Sequence, residues 1–84
     1  MLTKFVIIGL NDGLTSETVV DFLNLTNEFT SSIILNKRGH EANAKNMMEL
    51  LALSVRKTEE LTIQIDGIDQ VEAIEAIYKF LSNE

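Results

Sequence analysis

Eighty-four residues leave room for one small core, since a chain this short buries only about 60% of the surface its unfolded form exposes, and a multi-domain enzyme is excluded. With 45% hydrophobic residues, 24% charged residues and no proline the composition is that of a packed domain, and a net charge of −6 sets it against nucleic acid and anionic lipid. The absence of cysteine removes disulfides, thiolate metal sites and thiol catalysis together.

The elements follow from switches between two hydrophobic periods. Leu2 to Ile8 is rich in Phe, Val and Ile and predicts a strand, closed by the turn residues Asn11, Asp12 and Gly13. From Glu17 to Phe29 the period becomes helical, with Val19, Phe22, Leu23, Leu25 and Phe29 on one side and Thr15 or Ser16 placed to cap. Ile33, Ile34 and Leu35 predict a second strand that enters a hairpin turn at Asn36 to Gly39, with His40 to Ala44 as the short return. Asn46 to Leu53 predicts a short helix with Met47, Met48, Leu50, Leu51 and Leu53, more apolar groups than one stripe can bury. Leu61, Ile63 and Ile65 alternate with polar residues as a fourth strand ended by Gly67, and Gln70 to Leu81 predicts a last helix with Val71, Ile74, Ile77, Tyr78 and Leu81 along one stripe. The order is βαββαβα, an α+β pattern with helices layered on one face of a mainly antiparallel sheet. Ferredoxin-like and ACT-type regulatory domains carry nearly the same string, so element order alone leaves function open.

A set of residues narrows this choice: Gly13 at the end of the first loop, the turn at Gly39, the run Asn43-Ala44-Lys45-Asn46-Met47-Met48 before Leu53, then Lys57, then Glu60-Leu61-Thr62-Ile63, and the Asp66-Gly67-Ile68-Asp69 turn into the last helix. At this spacing the chain resembles HPr, the histidine-containing phosphocarrier of the bacterial sugar phosphotransferase system, without a gap over nearly its whole length. The resemblance implies one domain over residues 1–84, an open-faced β-sandwich of four antiparallel strands in the order 1-4-2-3 with three helices on one face. It also implies that the positions of the family's phosphoacceptor histidine and following arginine are held by Thr15 and Glu17, with Thr18 in place of a proline. The regulatory serine at the start of the family's second helix falls on Asn46.

These replacements remove chemistry. An imidazole phosphoramidate keeps a high transfer potential, whereas a threonine phosphoester is too stable to be handed on readily. An acid at Glu17 also stands where an arginine would grip phosphate oxygens. Thr15, Ser16 and Glu17 read instead as ordinary helix-start chemistry, a hydroxyl cap and an acid favoured by the dipole. The only histidine, His40, reads as a solvated turn residue, with a relocated phosphoacceptor as the sharper alternative, and with Glu41 alone it makes no metal site. The acidic pairs Glu59–Glu60 and Glu72–Glu75 read as solvated faces, Gly9 to Gly13 lacks any nucleotide-loop spacing, and Asp66, Gly67 and Asp69 read as a turn. No cofactor or metal is expected.

Two surfaces remain as candidates. Met47, Met48 and Leu51 match by residue type the second-helix positions with which the family docks its protein partners, although Asn24, Asn27, Glu28 and Glu49 replace the basic rim. If Val6, Ile8, Ile33, Leu35, Leu61 and Ile63 face the helices, period two sends Phe5, Ile7 and Ile34 to the open side of the sheet. Near Thr62 and Gln64 they would form a patch suited to self-association or partner binding. The sequence therefore predicts a non-enzymatic, HPr-like docking or regulatory protein that does not relay phosphoryl groups. The alternatives are a working phosphocarrier that uses His40 or Thr15 and an ACT-like small-ligand sensor. Phe5 to Ile8, an apolar run that no other exceeds in length, falls far short of a membrane span, and a soluble, cytoplasmic location is expected, with no nucleic-acid or membrane partner.

Overall fold

A computed structural model describes residues 1–83. The elements are β1 (Leu2–Ile7), α1 (Thr18–Thr26), β2 (Ser32–Lys37), β3 (His40–Asn43), α2 (Met47–Leu53), β4 (Glu60–Asp66) and α3 (Gln70–Ser82). All strand pairs are antiparallel and the sheet order is β1-β4-β2-β3, so β4 lies between β1 and β2 and the two outermost strands are β1 and β3.

Alternation decides which face is covered. Val6, Ile33, Leu35, Ala42, Leu61, Ile63 and Ile65 point to one side, and with Ile8 they are all buried. Against them α1 sets Val19 and Phe22, α2 sets Leu50 and Leu53, and α3 sets Ala73, Ile74, Ile77 and Leu81. Phe22, with no exposed surface, meets the Phe80 ring at 5.3 Å between centroids, and burying such a ring contributes about 2–3 kcal/mol. On α3 the buried stripe is centred on Ala73 rather than on Val71, which is exposed: the small Ala side chain lets the helix approach the sheet, and Val71 falls outside the contact. Helix α1 is also shorter than its apolar pattern, ending at Thr26. There the Thr26 hydroxyl, fully buried, donates to the Ala44 carbonyl at 3.0 Å and ties the helix end to the β3–α2 junction.

Turns hold this register. Arg38 and Gly39 both adopt positive φ between the paired residues Lys37 and His40, as a two-residue hairpin whose twist matches its strands requires. At Gly13 φ is +67°, and a Cβ would run into the Val55 carbonyl, so the first loop passes close against the segment after α2 only because this residue has no side chain.

Candidate functional site

The start of α1 is built from the loop upward. The Gly13 N–H closes a turn onto the Leu10 carbonyl at 3.1 Å, and the Leu14 N–H donates to the Val55 carbonyl at 3.1 Å with the Leu14 side chain buried. This fixes Thr15 at the rim, half-buried. Thr15 and Thr18 then bond each other reciprocally: the Thr15 N–H donates to Thr18 Oγ1 at 2.7 Å and the Thr18 N–H donates to Thr15 Oγ1 at 3.2 Å. The Thr18 hydroxyl also reaches the Gly13 carbonyl at 3.1 Å. Of the two cap candidates Thr15 is the one used, and its partner three residues on is a hydroxyl instead of the Glu or Gln of a capping box. Glu17 points into solvent as the residue preceding the first helical position. From Phe5 to Asn36 the chain holds no Lys, Arg or His, so α1 itself offers an anion neither a cation nor an imidazole.

Helix α2 begins at Asn46, whose Oδ1 accepts from the Glu49 N–H at 3.1 Å, while a Glu49 carboxylate oxygen accepts from the Asn43 N–H at 3.0 Å. The two acceptors satisfy donors on either side of the helix start. With Leu50 and Leu53 turned inward, Met47, Met48 and Leu51 occupy positions i, i+1 and i+4 of the outer face, 39%, 76% and 38% exposed. Val20 of α1, which packs on α2, is exposed as well. Sequence reasoning passed over Val20, although its place one residue off the Val19–Phe22 stripe was the signal. Ile68, almost wholly exposed in the turn before α3, was also passed over.

The hairpin end is less free than expected. His40 and Arg38 are exposed, but the Lys37 ammonium is engaged, donating to the Ser54 carbonyl at 2.8 Å and to Glu59 Oε1 at 3.3 Å. Glu59, expected as part of a solvated acidic face, is instead half-buried and anchored. The Arg56 N–H, at 2.7 Å, holds its carboxyl below the usual value, with Lys37 acting in the same direction. Among the described residues no three His, Asp or Glu side chains cluster to hold a metal ion.

On the open face Phe5 and Ile7 are 67% and 64% exposed at i and i+2 of the edge strand β1. Phe5 stands opposite Thr62, and Ile34 stands opposite Gln64, on the far side of β4 and half-buried. The three side chains thus share a face without forming one continuous patch, because the polar residues of β4 run between them.

The sequence matches the family described as "PTS HPr component phosphorylation site" over residues 2–83. The chain belongs to the HPr family. The HPr-like protein Crh of Halalkalibacterium halodurans is 34% identical over 84 residues, covering the whole of both chains. A crystal structure of the phosphocarrier protein HPr from Bacillus anthracis superposes with a TM-score of 0.92 at 30% identity, covering 95% of each chain. Crh of Bacillus subtilis superposes with a TM-score of 0.81 at 33% identity, covering 100% of this chain and 97% of that one, and its crystal structure is described as a swapped-domain dimer. The open sheet in the order 1-4-2-3 with its three helices is therefore the HPr fold, and the chain is an HPr-like protein related to the phosphotransferase system. Within that frame its single histidine sits on the β2–β3 hairpin, while the start of α1 carries the paired threonines.

Proposed function

We propose that this HPr-family chain is a single docking and regulatory domain that does not relay phosphoryl groups. The observation that carries this reading is the reciprocal pairing of Thr15 with Thr18 at the start of α1. At the family's acceptor position the chain presents a hydroxyl already engaged as a helix cap, and a phosphoester formed there would be too stable to pass on. The Glu17 carboxylate beside it disfavours a bound phosphate by like charge. Asn46, at the family's regulatory position, has no hydroxyl for a kinase, and its amide acts as the N-cap. What remains is the exposed apolar face of α2, with flexible methionines suited to a protein partner. The catabolite-repression role named for Crh of Bacillus subtilis makes cytoplasmic regulation of carbon metabolism the fitting setting.

The test is incubation with phosphoenolpyruvate and enzyme I, read by intact mass. No stoichiometric gain of a phosphoryl group is expected, and full acid-labile labelling overturns the reading. If labelling occurs, His40→Ala and Thr15→Ala in the same assay decide which group accepts it.

A second reading concerns self-association. Phe5 and Ile7 are exposed on an edge strand, and the Crh relative is described as a dimer. Sedimentation equilibrium is expected to show a concentration-dependent dimer that Phe5→Ser weakens. A monomer at millimolar concentration removes this reading.

A further inference from the structure

The outer face of α1 and α2 combines an apolar centre with an acidic surround. Val20, Met47, Met48 and Leu51 supply the apolar part. Asp21 lies on the exposed side of α1, Glu17 just before the helix and Glu28 just after it, all three exposed, and none of them forms an ion pair among the described residues. The nearby cations leave Asp21 and Glu28 unpaired among the described residues. Lys45 is half-buried with its ammonium donating to the Phe29 carbonyl at 2.6 Å, and Arg56 follows α2 beside the Gly13 turn, at the N-terminal end of α1. Glu49, the one charged residue of α2, adds a further negative charge.

We propose that this face takes a cationic protein segment, an amphipathic helix or loop whose apolar side chains meet Met47, Met48 and Leu51 while flanking Lys or Arg side chains meet Asp21 and Glu28. The proposal rests on the docking reading above and adds the chemistry of the partner. Charge complementarity carries it: unpaired carboxylates around an apolar centre attract a basic segment and repel an acidic one, which sets both the encounter rate and the choice of partner. Methionine and leucine side chains then adapt to the apolar half of the segment.

The probe is a pair of synthetic amphipathic helical peptides of identical pattern, one built from Leu and Lys and the other from Leu and Glu, titrated into the isotopically labelled full chain. Saturable one-to-one shifts at Val20, Met47, Met48 and Leu51 with the Lys peptide are expected, with no binding of the Glu peptide. Raising salt from low to about 0.5 M, or making Asp21→Lys together with Glu28→Lys, is expected to weaken the Lys peptide roughly tenfold. These positions are exposed, and thermal melts of each variant verify folding. Equal binding of both peptides overturns the proposal. So does loss of binding on Met48→Ser with Leu51→Ser but no response to salt or charge reversal, an outcome that leaves the docking reading standing. Shifts confined to Glu41, Glu60 and Asp66 on the open sheet face overturn both.

Discussion

Asp69 joins two parts of the chain that the sequence keeps far apart. Its carboxylate accepts from the Ser31 hydroxyl, from the Thr30 N–H at 2.9 Å and from the Ser31 N–H at 3.0 Å, fastening the start of α3 to the loop before β2. The Ser31 hydroxyl bond, followed by the Thr30 backbone bond, lowers the carboxyl from its ordinary value of 3.8 to about 2. Because the folded-state value is depressed, this anchor is fully in force above the unfolded value and is lost as pH falls through about 2. Asp69→Asn is therefore expected to flatten the fall in urea midpoint between about pH 4 and pH 2 relative to the parent. Parallel curves over that window would remove the anchor as a source of acid sensitivity. At this scale local chemistry was legible and distant chemistry was not. A hydroxyl cap at Thr15 or Ser16 follows from their place at the start of the helical period, and the fold uses Thr15, whereas Asp69 read only as part of a turn, since nothing near it names a partner 38 residues away.

Helix α2 shows what decides a short element. Seven residues are too few for a stable isolated helix, so α2 depends on its buried Leu50 and Leu53 and on its cap. Asn46→Ala is expected to destabilise the domain by about 1 kcal/mol and Asn46→Ser to keep most of that stability, because a serine oxygen can accept the same Glu49 N–H. Urea denaturation of the three proteins tests this, and indistinguishable midpoints count against the cap. The excess of apolar residues in this helix was readable, and so was the expectation that some reach solvent. Which ones do so is set by how α1 and β3 lie against it, which a helical wheel alone does not contain. The same limit explains Val71: periodicity ranks aliphatic side chains alike, and only the sheet beneath α3 selects Ala73 over it.

Across the whole molecule, strict alternation in β4 was enough to say which residues face the helices, and Leu61, Ile63 and Ile65 are all buried as that pattern requires. Strand order was not in the pattern. The arrangement 1-4-2-3 followed from resemblance to HPr, because two-residue periodicity assigns faces and is silent on neighbours. Lys37 shows the remaining gap, reading as hairpin polarity in the sequence while it links Ser54 to Glu59 in the fold. One property of the sheet reaches beyond the native state. Among the described residues strand β1 has β4 as its only neighbour in the sheet, and Phe5 pairs with Thr62, more than half the chain away. During translation β1 therefore emerges from the ribosome long before any strand exists to receive it, so the earliest-made strand of this sheet waits for the latest-made one.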